Sequence, residues 1–209
     1  MAKNKSDDKK HSDKYFGVRI LKSSSPAIKV LRKEFPTSIH GNKFWGSSYL
    51  LMDYFKKHPL SQNDRVLELG CGWGLASIYL NKTFGCDVTG VDADDDVFAY
   101  LELHAEINKA DVKTMQKRFE KISTKDLSQF DVIIAADVCF WDELADIHKK
   151  LIKRAIKAGV KKIVYADPER SPFVALADYC SKKYCADVID REMKKPVKAR
   201  GALMVIENA

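Results

Sequence analysis

The chain has 209 residues, of which 45% are hydrophobic and 31% charged, and its formal net charge is +7. This length suits one domain with a substantial core, and the composition is that of an ordinary globular protein. No apolar run approaches the roughly 20 residues that span a bilayer, and the five cysteines lack zinc-binding spacing, so we expect a cytoplasmic protein with reduced thiols, no membrane segment and no metal site.

The amino-terminal part of the chain is polar. Residues 1–15 contain no apolar segment of the kind that a secretory signal needs, and they predict a disordered tail before a single domain at residues 16–209. Partial period-two alternation predicts short extended segments at residues 15–22 and 27–34. An apolar stripe at helical spacing predicts a helix at residues 46–57.

From Arg65 onward, short apolar segments alternate with amphipathic ones. Strands are predicted at residues 66–69, 87–91, 112–115, 131–136, 162–166, 187–193 and 201–206, and helices at 75–83, 94–109, 143–158 and 173–183. Strands that alternate with helices form a parallel sheet with helices on both faces, and the last two strands, with no helix between them, predict an antiparallel edge hairpin. The expected fold is α/β, with a Rossmann-like, doubly wound, mostly parallel sheet of seven strands.

A glycine-rich turn, VLELGCGWG, follows the first of these strands. Ligands of doubly wound sheets bind at this carboxyl edge, and Gly70, Gly72 and Gly74 let the backbone turn and approach a ligand closely. Glu68 would repel a pyrophosphate, but it could accept a hydrogen bond from a methionine ammonium. The pattern ExGxGxG, which includes Cys71, resembles motif I of the class I methyltransferases that use S-adenosylmethionine (SAM). The resemblance implies that these five residues bind SAM.

Three further residues fit the same cofactor. Asp92 ends the next strand, at close to the roughly 20-residue spacing expected for an acid that binds ribose hydroxyls. Phe119 follows the third strand, where this superfamily usually holds adenine, although a core position explains Phe119 equally well. Trp45 begins the helix before the sheet and either covers the cofactor or belongs to the core.

The methyl acceptor is expected beside the fourth strand, which ends in Asp137, Val138, Cys139 and Phe140. The segment lacks the two prolines of the box found in enzymes that methylate adenine N6 or glutamine amides. It resembles instead the DxxY/F box of the seven-β-strand protein-lysine methyltransferases, with phenylalanine in place of the tyrosine. The catalytic candidates are Asp137, which would orient the acceptor amine or touch the methionine part of SAM, and Phe140, which would wall the channel together with Trp141.

Other segments extend this resemblance to the group that includes the lysine methyltransferase of the electron-transfer-flavoprotein β-subunit. Residues 136–151 are similar to that group, as is the tryptophan-bearing segment around Trp45. The sequence ADPER at residues 166–170 corresponds to GDPGR in the group, with Glu169 in place of a glycine. Arg170 would bind an acidic substrate group or form a structural salt bridge.

The acceptor class stays open at this stage. A protein lysine is the leading expectation, and a small-molecule N- or O-acceptor comes next. The charge of +7 keeps RNA as a less favoured partner, because the basic residues between 149 and 162 fit a solvated helix face better than a phosphate track. A SAM-binding module without catalysis is a further alternative. The number of methyl groups added and the oligomeric state are not predicted.

Overall fold

A seven-stranded sheet forms the centre of the protein in a computed structural model that describes residues 11–37 and 43–208. Its strands are β3 (Arg65–Leu69), β4 (Asp87–Asp92), β5 (Val112–Gln116), β6 (Val132–Ala136), β7 (Lys162–Asp167), β8 (Asp187–Met193) and β9 (Ala199–Glu207). They are ordered β5-β4-β3-β6-β7-β9-β8. The first five strands pair in parallel, and β9 pairs antiparallel with both β7 and β8. The predicted fold, including the antiparallel edge hairpin, is confirmed.

Two further strands and seven helices lie around this sheet in the described residues. A separate hairpin consists of β1 (Ser12–Tyr15) and β2 (Val18–Leu21). The helices are α1 (Pro26–Glu34), α2 (Gly46–Lys57), α3 (Leu75–Phe84), α4 (Asp96–Asn108), α5 (Thr124–Leu127), α6 (Asp142–Lys157) and α7 (Ser171–Tyr184), and a 3-10 turn covers Phe119–Lys121. Across residues 11–37 and 43–208, no helix combines the length and apolarity that crossing a bilayer requires.

Side chains alternate between the two faces of the sheet and build two apolar layers. In β3, for example, Val66 packs into the layer that contains helices α2 and α3, whereas Leu67 and Leu69 pack into the layer with α6 and α7. Strand β6 is buried along its whole length, as a central strand covered on both faces should be. The residues at its carboxyl end therefore leave the core at one defined place, beside the end of β3.

The structure differs from the sequence prediction in the amino-terminal part of the chain. Residues 27–34 belong to helix α1 and not to an extended segment. A proline at the first helical position favours this start, and Ile28 and Leu31 face inward at helical spacing while Val30 is 52% exposed. Strand β1 lies within the tail predicted at residues 1–15, and residues 1–10 of that tail lie outside the described residues.

Side-chain hydrogen bonds attach the amino-terminal hairpin to helix α4. The Asn108 amide accepts from the Arg19 N–H at 2.8 Å and donates to the Arg19 carbonyl at 2.7 Å. His104 accepts from the Leu21 N–H at 3.1 Å through Nε2, and its Nδ1 lies 2.7 Å from the Tyr100 carbonyl. This arrangement requires a neutral imidazole with its proton on Nδ1, and burial lowers the pKa of His104 to about 4.

Candidate active site

A cavity of about 420 Å³ opens at the carboxyl ends of β3, β4 and β6. It has the position in which doubly wound sheets bind their ligands. Nine of the ten predicted site residues line it, namely Trp45, Gly70, Cys71, Gly72, Gly74, Asp92, Phe119, Asp137 and Phe140. The structure therefore brings together residues that are spread over almost a hundred positions of the chain.

The glycine-rich turn forms the floor of this cavity. Its glycines have positive φ angles, of +66° at Gly70 and +71° at Gly74. A Cβ on Gly70 would lie 2.9 Å from Val138 Cγ1, so only glycine lets the turn and the acceptor segment approach each other. A Cβ on Gly72 would meet no protein atom within 4 Å, which means that the space beside Gly72 is open to a ligand. The side chain of Cys71 is buried, and burial raises the pKa of its thiol.

Glu68 is the predicted site residue that does not line the cavity. Its carboxylate accepts hydrogen bonds from the N–H of Ser77, at 3.0 Å, and from the Ser77 hydroxyl. Ser77 lies in the first turn of α3, so Glu68 ties that helix start to strand β3 from beneath the glycine-rich turn. Burial raises the pKa of Glu68 to about 7. This geometry gives Glu68 a supporting place under the turn rather than a place against a ligand.

Asp92 stands at the end of β4 and faces the cavity. One carboxylate oxygen accepts from the Gly72 N–H at 3.1 Å, and the other accepts from the Asp94 N–H at 3.2 Å. Burial raises the pKa of Asp92, although these backbone hydrogen bonds oppose the shift. A third backbone N–H, that of Ala93, also donates to this carboxylate, which offers about four acceptor positions, so Asp92 retains capacity for a further donor.

Phe119 lines another wall of the cavity, where the 3-10 turn packs against α6. Its ring lies 4.8 Å from the ring of His148, measured between centroids. Arg154 fixes the turn by donating to the carbonyl oxygens of Phe119, at 3.1 Å, and of Ile122, at 3.0 Å. The sequence predicts only a solvated helix face at Arg154, because nothing in the local sequence shows which turn packs on α6.

Asp137 lies at the other end of the cavity, directly after β6. It is buried and has a φ of +56°, in the left-handed region. Its Oδ2 accepts from the Ser47 N–H, at 3.1 Å, in the first turn of α2. Its Oδ1 accepts from the guanidinium of Arg170 at 2.8 Å. Asp137 thus joins strand β6 to helix α2 and to the loop after β7.

Aromatic rings form the wall next to Asp137. Trp45 and Phe140 pack edge to face with centroids 5.7 Å apart, and Trp141 lies 5.8 Å from Phe140. The ammonium of Lys43 lies 4.2 Å from the centroid of the Trp45 ring. Trp141 is 55% exposed at the cavity mouth, which makes it the most exposed large hydrophobic side chain among the described residues.

The loop after β7 supplies residues whose roles could not be assigned from the sequence alone. Arg170 forms the salt bridge that is one of its two predicted roles, and its partners are Asp137 and Asp167. Asp167 is buried at the end of β7, and burial raises its pKa to about 6 while hydrogen bonds from Arg170 oppose the shift. Asp92 and Asp137 are also acids that end buried strands, so the same signal could have identified Asp167.

Two backbone positions shape this loop. Glu169 has a φ of +67°, which explains why a glycine suits this position in the group that the segment resembles. Gly201, in β9, lies so close to the loop that a Cβ there would collide with the carbonyl oxygen of Asp167. Strand β9 can therefore pair with the end of β7 only because position 201 carries no side chain.

The residues around the cavity fit SAM. The turn exposes bare backbone at Gly72, the carboxylate of Asp92 lines the cavity, and the cavity extends from these residues to Asp137. In the described part of the chain, no group of three histidine, cysteine or acidic side chains is arranged to hold a metal ion.

Comparison with known proteins agrees with this geometry. A family profile described as "Methyltransferase domain" matches residues 66–159. The electron transfer flavoprotein β-subunit lysine methyltransferase of Xenopus laevis is 26% identical over 131 residues, which are 62% of this chain and 52% of that protein. The calmodulin-lysine N-methyltransferase of Arabidopsis thaliana is 28% identical over 135 residues, 60% of this chain and 44% of that protein.

Nucleic-acid methyltransferases are also similar. The 23S rRNA (uracil(747)-C(5))-methyltransferase of Pyrococcus abyssi is 27% identical over 187 residues, 88% of this chain and 42% of that protein. The crystal structure of the tRNA (uracil-54, C5)-methyltransferase of Pyrococcus abyssi, bound to S-adenosyl-L-homocysteine, superposes with a TM-score of 0.62 at 19% identity and covers 94% of this chain and 42% of that one. The chain spans about half the length of the curated relatives it matches.

Proposed function

We propose that this chain, which carries a methyltransferase domain on the class I SAM-dependent fold and has SAM as its cofactor, methylates an amine, namely the side chain of a protein lysine. One observation carries the proposal. At the end of the cavity away from Asp92, the buried carboxylate of Asp137 lies beside a wall of Trp45, Phe140 and Trp141. An acid next to aromatic faces suits a cationic side chain better than a neutral or anionic one.

The cofactor would be held by the other end of the cavity. Asp92 is positioned to accept hydrogen bonds from the ribose hydroxyls, the backbone at Gly72 leaves room for the ligand, and Phe119 offers an aromatic face to the adenine. When bound, SAM supplies a methyl group on a cationic sulfonium, which a nucleophilic nitrogen can displace.

Asp137 is the proposed catalytic residue. A lysine ammonium has an unperturbed pKa of about 10.4, so it must lose a proton before its lone pair can attack. The Asp137 carboxylate has about four acceptor positions, of which Ser47 and Arg170 use two. Once the proton has passed to solvent, the free positions can accept from the amine and fix its direction, while Phe140 and Trp45 stabilise the positive charge that the nitrogen gains with the methyl group.

The acceptors named for two relatives support this proposal, because both are lysine methyltransferases. RNA is the second candidate, since the similarity to the rRNA methyltransferase extends over 88% of the chain and the net charge is +7. A covalent route through a thiolate at the acceptor segment is disfavoured, because Cys139 is buried and burial raises its pKa to about 12.

Transfer of a labelled methyl group tests the proposal. The protein is incubated with SAM carrying a radiolabelled methyl group and with a cell lysate, and the products are then treated with protease or with nuclease. We expect the label in protein, released by protease and recovered as methyl-lysine after hydrolysis. Label in RNA or in small molecules would contradict the lysine acceptor.

A matched pair of variants tests the role of Asp137. Replacing the carboxylate by an amide in Asp137→Asn removes its charge, so we expect label transfer to fall by about 100-fold or more while the affinity for SAM stays within a few-fold of wild type. Asp146→Asn changes an exposed carboxylate of helix α6, which follows the acceptor segment, and should leave the rate unchanged. Full activity of Asp137→Asn would rule out the proposed role.

A further inference from the structure

The guanidinium of Arg170 connects two buried carboxylates that end neighbouring strands. A single nitrogen, Nη1, lies 2.8 Å from Oδ1 of Asp137 and 2.9 Å from Oδ2 of Asp167. The N–H of Arg170 also donates to Oδ1 of Asp167 at 2.8 Å. Both carboxylates are almost completely buried, whereas the Arg170 side chain is 26% exposed. Asp167 therefore holds Arg170 at both its backbone and its side chain.

The same guanidinium lies over the ring of Phe140, with its central carbon 4.7 Å from the ring centroid. Phe140 in turn packs edge to face with Trp45. A planar guanidinium can stack on a ring and donate in its own plane at the same time, which the point charge of a lysine ammonium cannot do. Arg170 thus contacts both the carboxylate and the aromatic wall that are proposed to surround the acceptor.

The charges of Asp137, Asp167 and Arg170 do not cancel. Two carboxylates and one guanidinium carry one net negative charge when both acids are ionised. Asp137 faces the cavity, whereas Asp167 does not line it. Arg170 therefore offsets only one of the two negative charges, and the group as a whole keeps an attraction for a cation in the cavity.

From these contacts we infer that Arg170 and Asp167 are positioning residues for methyl transfer: Asp167 fixes Arg170, and Arg170 fixes the direction of the Asp137 carboxylate and of the Phe140 ring. The inference rests on the proposed function of the cavity and adds two residues that act through Asp137 and Phe140. A displacement of about 1 Å in a reacting group can lower a rate by about 100-fold, so this arrangement should act on turnover rather than on binding.

The test compares four variants with wild type by the rate of S-adenosylhomocysteine formation at saturating SAM in whole lysate. Arg170→Gln and Asp167→Asn remove one partner each, and Arg170→Lys retains the charge without the planar group. Arg65→Gln is the control, because Arg65 forms a comparable pair with Asp131 at the amino-terminal edge of the sheet, far from the acceptor segment.

We expect Arg170→Gln and Asp167→Asn to lower this rate by about tenfold or more, Arg170→Lys to lower it about three- to tenfold, and Arg65→Gln to change it less than about twofold. SAM affinity, measured by calorimetry, should stay within about threefold in all four variants. If Arg170 acted only through its charge, Arg170→Gln should raise the rate, because the substitution increases the negative charge at the acceptor and should favour a cationic substrate.

Two results would overturn the inference. One is a wild-type rate in Arg170→Lys and Arg170→Gln, which would show that the guanidinium positions nothing. The other is a parallel loss of SAM affinity and rate, which would indicate a general collapse of the cavity. If Arg170→Gln does not fold, the rate of Arg170→Lys tests the inference, because lysine can still form an ion pair with both acids. S-adenosylhomocysteine forms whichever acceptor is methylated, so this rate comparison does not depend on the acceptor being a lysine. Label outside the protein fraction in the transfer experiment would refute the lysine acceptor and leave this comparison valid.

Discussion

At the scale of single residues, each acid at the carboxyl edge of the sheet has a different set of partners. Asp92 accepts from backbone N–H groups and faces the cavity, Asp137 accepts from Ser47 and Arg170, and Asp167 is enclosed with Arg170. Residue type alone does not separate these roles. The partners do, because they determine how many acceptor positions remain for a ligand.

Asp92 should dominate the affinity for the cofactor. Removing its carboxylate in Asp92→Ala takes away the proposed charge-assisted hydrogen bonding to the ribose, worth roughly 1.5–3 kcal/mol for each bond, so we expect SAM to bind about 10- to 100-fold more weakly. Isothermal titration calorimetry measures this change. Asp95→Ala, at a neighbouring exposed acid, should bind SAM normally. Equal affinity of Asp92→Ala and wild type would refute the ribose assignment.

Glu169 occupies a strained backbone position. A left-handed conformation costs an L-residue about 1–2 kcal/mol, and glycine avoids this cost but gives the unfolded chain more freedom. We expect Glu169→Gly to raise the free energy of unfolding by roughly 0.5–1 kcal/mol, as measured by urea denaturation. Lys150→Gly, on the exposed face of α6, should lower it by about 1 kcal/mol and serves as the opposite control. A destabilised Glu169→Gly would mean that the Glu169 side chain makes a stabilising contact.

At the scale of elements, the sheet and its glycine-rich turn could be predicted because their signals are local. The central strands β6 and β7 are short, largely apolar runs, and the turn after β3 carries its glycines at alternate positions. The prediction of an extended segment at α1 was wrong because Ile28 and Val30 suggest a period of two. The segment is too short for its helical period to be evident. The hydrogen bond between Asp137 and Ser47 joins residues 90 positions apart and could not be predicted from either segment.

The tie between β3 and α3 has a consequence for the pH dependence of stability. Burial raises the pKa of Glu68 to about 7 from an ordinary value of 4.5, so between these pH values the folded chain holds a proton that the unfolded chain has released. The contribution of Glu68 to stability is therefore greatest below pH 4.5, declines as the pH rises to 7, and is constant above that.

Glu68→Gln should remove this decline, because glutamine retains an oxygen that can accept from Ser77 and has no charge to bury. A difference of one between the folded and unfolded pKa values corresponds to about 1.4 kcal/mol, so the loss of stability between about pH 5 and pH 8 should be smaller in Glu68→Gln by up to about 3 kcal/mol. Urea denaturation of both proteins at these two pH values isolates the effect, since all other titrating groups are shared. The same pH dependence in both proteins would contradict it.

At the scale of the whole molecule, side-chain hydrogen bonds from one helix join the amino-terminal hairpin to the α/β core. Asn108 satisfies both backbone groups of Arg19, and His104 satisfies the N–H of Leu21. Around them, Trp73 of the glycine-rich turn stacks on Tyr100, with ring centroids 4.8 Å apart. The hairpin therefore rests on the same helix that supports the floor of the cavity.

Of these residues, Asn108 should contribute most to stability. Asn108→Ala removes two hydrogen bonds to the backbone of Arg19 in a part-buried place, so we expect the free energy of unfolding to fall by about 2–4 kcal/mol. Chemical denaturation measures the loss, and limited proteolysis should cut the variant first within residues 11–37. Asn63→Ala, at an exposed loop position, is the control and should change stability by less than about 0.5 kcal/mol. An unchanged Asn108→Ala would show that the hairpin is held by apolar packing alone.

Because Gly201 has no side chain, strand β9 can affect catalysis without contacting the cavity. Any larger residue there would displace the carbonyl of Asp167 and with it the start of the loop that carries Arg170. In random mutagenesis scored by methylation, we therefore expect inactive variants with substitutions in the β8–β9 hairpin. These variants should still bind SAM, although the residues of the hairpin do not line the cavity.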